Sequence, residues 1–138
     1  MTPKTKVTKP KAPKKAVKKV DLSAQLKDSI VDGMQEKKAK DIVTIDLRTV
    51  KNSVADFFVI CHADSSTQID AIARSIEEIV YKQQKEDPLH VEGRSNAEWI
   101  LVDYSSVVAH IFLHEKRDFY GLERLWADAE IERIASNY

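Results

Sequence analysis

The sequence predicts an α/β domain: a mixed sheet of about five strands with helices on its faces, behind a disordered basic N-terminal tail. Three observations predict it. Apolar residues recur at helical spacing in three separate stretches, and five short β-prone segments lie between them. A strand–helix–strand step in the middle of the chain requires a parallel pair, whereas the strands adjacent in sequence pair antiparallel. At 138 residues the chain is long enough for one domain with a real core, and three Gly and four Pro argue against a loop-dominated fold.

Residues 1–20 are Lys, Thr, Pro and Ala with almost no large apolar side chain. They cannot bury enough surface to offset their ordering entropy and are expected to be disordered. Residues 21–138 then form a single domain. Formal net charge is zero, but the eight lysines of residues 1–20 are unmatched by any acid, which leaves the domain 14 basic and 22 acidic residues, a net of −8. Such a tail reads either as a polycation for nucleic-acid phosphates or as a solvated leader, and the leader is favoured because such tails are common.

Residues 21–39 space Leu22, Leu26, Ile30 and Met34 four apart with Val31 alongside, one stripe of an amphipathic helix weakened by Gly33. Asp21 or Ser23 suits its start. Residues 42–47 form a strand, Arg48 to Ala55 a polar connection, and Asp56 to Cys61 a second strand, apolar almost throughout and therefore central. Ser65 and Gln68 have capping-box spacing ahead of the stripe Ile69, Ile72, Ala73, Ile76, Ile79 and Val80, and Asp87-Pro88 ends that helix. Leu89 to Glu92 is a short strand, Gly93 to Ala97 a loop, and Trp99 to Val102 and Val107 to Leu113 are strands joined by turn residues. Residues 117–134 are predicted helical, with Tyr120, Leu125, Trp126, Ala129 and Ile134 available for packing.

Composition and motifs exclude several kinds of chemistry. Cys61, the single cysteine, leaves no internal disulfide and fits a reducing compartment. No apolar run follows the lysines, as a signal peptide or membrane span requires, and the tail lacks the Arg and Ser of a transit peptide, so the chain reads as cytoplasmic with no membrane attachment. Cys61 and His62 are neighbours in a strand and point to opposite faces, and His110 and His114 do not share a helix, so no metal site is expected. His62 cannot turn back to activate Cys61. Ser65-Ser66 after a strand is reminiscent of the opening of nucleotidyltransferases, but the Asp-x-Asp pair that holds Mg²⁺ there is missing, as is any Gly-rich phosphate loop. No cofactor is expected, and no catalytic residue is assigned. The dense block of aromatic and charged residues from Glu92 to Trp126 suits either a docking surface or an ordinary core, and His110 within its apolar strand suits a hydrogen-bonded core histidine.

A set of linked blocks narrows this choice. Ala55-Asp-Phe-Phe-Val-Ile-Cys, Ser65-Ser-Thr-Gln, Glu92-Gly, Trp99-Ile-Leu-Val-Asp-Tyr, Val108-Ala-His-Ile-Phe and Arg117-Asp-Phe-Tyr-x-Leu-Glu-x-Leu-Trp resemble the ribosomal silencing factor (Iojap-like) family, in its order and spacing, over roughly residues 22–127. The resemblance implies a mixed five-stranded sheet, nucleotidyltransferase-like in outline, and a translation repressor that is not an enzyme. Members bind the large ribosomal subunit through its fourteenth protein and keep the small subunit from joining. Carried onto this chain, the implied partner-binding residues are Trp99, Asp103, Tyr104 and His110, with Glu92 and Arg94 at the rim. His62-Ala63-Asp64 departs from the small residue, often Gly or Thr, that many members carry after the second strand, and the tail lies outside the family core. Ribosomal RNA contact through the Lys-rich tail and pairing of two copies through an exposed sheet face stay open. So does the alternative of a phosphate- or nucleotide-handling enzyme with Asp64, Ser65 and Ser66 at its substrate.

Overall fold

The computed structural model describes residues 14–136 and Tyr138. In chain order the elements are α1 (Lys14–Glu36), β1 (Lys40–Asp46), β2 (Phe57–Ala63), α2 (Ser66–Gln84), β3 (His90–Glu92), β4 (Trp99–Asp103), β5 (Val107–Leu113), α3 (His114–Tyr120), α4 (Leu122–Leu125) and β6 (Glu130–Arg133). The strands make one sheet in the order β3-β4-β5-β2-β1-β6. Only β2 and β5 run parallel, joined by the crossover that contains α2, and every other pair is antiparallel. The mixed α/β architecture is as the sequence predicts.

Two elements differ from expectation. Helix α1 begins at Lys14, inside the stretch expected to be disordered, because from there the sequence holds good helix formers and no Pro or Gly until Gly33. Residues 1–13, the rest of that stretch, lie outside the described residues. The predicted C-terminal helix is two short helices and then a sixth strand. Gly121 ends α3 in a left-handed conformation (φ 60°), a reversal follows at residues 126–129, and Ile131 pairs with Ile45 on the otherwise unpaired edge of β1. An open strand edge offers a row of hydrogen-bonding groups, and this tertiary opportunity outweighs the helical spacing of the local sequence.

The sheet divides two cores. Helices α1 and α2 cover one face, where Phe57, Val59 and Cys61 of β2, Ile100 and Val102 of β4, and Val107, Ala109 and Ile111 of β5 are buried with Ile30, Met34, Ile69, Ile72 and Ile76. The helices approach closely at Gly33, where an added Cβ would lie 2.7 Å from the Ile76 Cα. Ser75 Oγ donates to the Gly33 carbonyl at 2.8 Å in the same crossing. Ser65 caps α2 as its spacing predicts, accepting from Gln68 N at 3.1 Å. Strand β2 is buried along its whole length, as its apolar run requires of a central strand.

Candidate docking face

The second face of the sheet has no long helix over it. Pairing places Glu92, Leu101, His110, Ile60, Val43 and Arg133 in one row across all six strands, and His90, Asp103, Val108, Phe58, Ile45 and Ile131 in the next. The segment between β5 and β6 lies over part of this face, where its Tyr120, Leu122, Trp126 and Ala129 join Phe58, Ile60, Phe112 and the β6 residue Ile131 in one apolar cluster. The cover is incomplete. Trp99, Leu101, Asp103 and Trp126 stay half-buried, and Leu125 is 72% exposed.

Strand β4 shows the division residue by residue. Ile100 and Val102 are fully buried under the helices, while Trp99, Leu101 and Asp103 alternate onto the second face. The Trp99 ring lies 4.5 Å from Tyr120, 5.0 Å from Phe112 and 5.8 Å from His110, centroid to centroid. Its indole Nε1 donates to His110 Nδ1 at 3.1 Å. His110 also meets Phe58 edge-to-face at 4.7 Å, and Phe58 in turn meets Trp126 at 5.9 Å. Burial pushes the His110 imidazole down to about 4, so it is neutral. At the margin, Asp103 Oδ1 accepts from Ser105 N at 2.7 Å, and His90 Nε2 lies 3.0 Å from Glu92 and 3.5 Å from Asp103.

The six expected site residues therefore separate. Trp99 and Asp103 share the half-covered face with Glu92 on its edge strand, and His110 lies beneath Trp99 with 4% of its surface exposed. Tyr104 and Arg94 belong elsewhere. Tyr104 is buried in the helix-covered core, its hydroxyl held above the ordinary phenol range by burial and then by Glu77, and Arg94 pairs with Glu77 of α2. Tyr104 directly follows β4 and continues its alternation, falling on the helix side with Ile100 and Val102; the two-residue period of the strand is the signal that could have placed it there.

Sequence reasoning missed Arg117 as a site residue, although it stands in the motif quoted above. Its side chain is buried and meets three elements. Nη1 donates to the Asp41 carbonyl at 2.7 Å and lies 2.9 Å from His62 Nδ1, while Nε and Nη2 bond Glu123 at 3.1 and 3.0 Å. His62, stacked 4.8 Å from His114, is held below the ordinary imidazole range by burial and then by Arg117. This cluster fixes the segment that bears Tyr120, Leu122 and Trp126. An Arg followed six residues later by Glu across a Gly is the signal that could have pointed to it.

Groups that could have served chemistry are otherwise engaged. Burial pushes the Cys61 thiol up to about 12, so it is not a ready nucleophile. Ser65 caps α2, and Ser66 Oγ donates to the Ala97 carbonyl at 3.4 Å. Among the described residues no three His, Cys, Asp or Glu side chains converge to hold a metal, and no helix is long and apolar enough to cross a membrane.

A family model described as "Ribosomal silencing factor during starvation" matches residues 20–137. The chain belongs to the ribosomal silencing factor family. It is 41% identical over 99 residues to Ribosomal silencing factor RsfS of Bacillus subtilis, covering 70% of this chain and 80% of that one. It is 37% identical over 109 residues to its counterpart from Halalkalibacterium halodurans, covering 77% and 92%. A crystal structure of a Chromobacterium violaceum protein superposes with a TM-score of 0.70 at 29% identity, over 75% of this chain and 85% of that one. The silencing factor family match spans the whole sheet, so both strands that carry Trp99 and His110 and the Arg117 segment lie within it.

Proposed function

We propose that this silencing factor docks on the large ribosomal subunit through that subunit's fourteenth protein, and that the docked domain keeps the small subunit from joining. The observation that carries this reading is the asymmetry of the sheet. One face is closed by α1 and α2, and the other presents a half-covered aromatic surface centred on Trp99 and Leu101, with Asp103 and Glu92 at its margin. Aromatic anchors in a partly apolar patch with a polar rim are what a protein partner uses. A standard interface takes about 800 Å² from each partner, so most of the domain, including α1 and α2, would project from the contact.

The action is occlusion and needs no chemistry. Because silencing-factor binding and subunit joining exclude each other, each weakens the other by the same factor. The lysines ahead of α1 add a salt-dependent contact with ribosomal RNA, which the acidic domain by itself would not favour. The test is co-sedimentation of the purified protein with separated subunits, followed by an in vitro joining assay. Retention on large but not small subunits, with joining suppressed, is the expected result. Normal joining at saturating protein ends the reading, and nucleotide turnover by the free protein would favour an enzyme on the same fold.

A further inference from the structure

We propose that His110 is the positioning residue of the docking face, holding the Trp99 indole in the pose that a partner meets. This rests on the docking reading above. Trp99 and His110 are not directly opposite in the ladder; Trp99 faces Phe112, and His110 faces Leu101. The 3.1 Å bond from the indole Nε1 to His110 Nδ1 therefore draws the indole diagonally across the strand pair, over the row that contains Leu101. An indole nitrogen is only a donor, so Nδ1 must be the acceptor and the imidazole proton sits on Nε2.

That choice of residue is costly. His110 lies in the otherwise apolar strand Val107–Leu113, 4% exposed, and its Nε2 finds no hydrogen-bond partner among the described residues. A Phe or Leu would fill the same space without an orphaned donor. What an apolar residue cannot do is accept from Trp99. A half-buried indole without its acceptor leaves its N–H unsatisfied or turns it toward water, and the ring then leaves the surface formed with Tyr120 and Leu101. An anchor that must be ordered on binding contributes less affinity than one already in place.

Two substitutions separate positioning from packing. His110→Phe keeps the bulk and removes the acceptor; His110→Asn places an amide oxygen near the position of Nδ1. Near-ultraviolet circular dichroism and fluorescence of Trp99, isolated by Trp126→Phe in each protein, report the indole pose. Thermal melts report the fold, and co-sedimentation titration with purified large subunits, in the chain that retains Trp126, reports docking. His110→Phe is expected to melt no lower than the parent, to change the Trp99 spectrum and to weaken docking about five-fold, the equivalent of one hydrogen bond. His110→Asn is expected to restore spectrum and affinity toward the parent. If His110→Phe unfolds, His110→Leu serves the same comparison. A wild-type spectrum or wild-type affinity in the acceptor-less variant overturns the proposal while the docking reading stands. Failure of the wild-type protein to bind large subunits overturns both.

Discussion

Arg117 holds Glu123 in a two-pronged bond across Gly121, at 3.1 and 3.0 Å, and with the same guanidinium reaches the Asp41 carbonyl at 2.7 Å. One side chain thus joins the two short helices to each other and to β1. Arg117→Gln removes a buried charge whose partner stays behind and strips His62 of its donor, so a loss of about 3–5 kcal/mol is expected. Arg117→Lys keeps the charge but not the fork and should recover only part of it. Urea melts measure the loss, and amide exchange accelerated first over residues 114–126 in both variants would locate it.

Acid should weaken the fold through two histidines. Burial lowers both His110, to about 4, and His62, so the unfolded chain binds more protons between those values and 6.5. Their contribution is complete above about pH 6.5 and is lost as pH falls through the folded values. For His110 the loss amounts to roughly 3 kcal/mol when complete. Urea midpoints at about pH 7, 6 and 5 should fall in the wild type, and less in His110→Phe, which cannot take up that proton. Equal slopes in the two proteins would refute the assignment.

The two faces of β4 should separate stability from docking. Ile100→Ala opens a cavity under the helices and should cost about 2–5 kcal/mol of stability. Trp99→Ala should reduce large-subunit binding by more than about 2 kcal/mol with a smaller effect on melting. Melts and affinities of both variants check this, and an unfolded Trp99→Ala beside a stable Ile100→Ala would reverse the faces.

Gly33→Ala should destabilise. In an exposed helix the change is worth about 1 kcal/mol in favour of Ala. Here the new Cβ would meet the Ile76 backbone at 2.7 Å, so the helices must part and a net loss of about 1–3 kcal/mol is expected from urea melts.

Truncation ahead of α1 tests the tail. Removing residues 1–13, with four of the eight lysines, should flatten the salt dependence of large-subunit affinity without altering the preference for that subunit. An unchanged slope would return the segment to the role of a solvated leader.

The sequence by itself determined what is local. Alternation in Trp99–Asp103 assigned Ile100 and Val102 to the covered core, the unbroken apolar run of β2 marked a central strand, and Ser65 with Gln68 marked the start of α2. Each of these follows from a two- or 3.6-residue period or from a cap spanning four positions. Tertiary structure decided the rest, because each outcome depends on chain that returns from far away. β6 became a strand because β1 had a free edge, and Gly33 was needed because α2 crosses there. Arg117 gained its role only when Asp41 and His62, 76 and 55 positions earlier, were brought beside it. Periodicity tells which side chains share a face; only packing tells which face is covered, and by what.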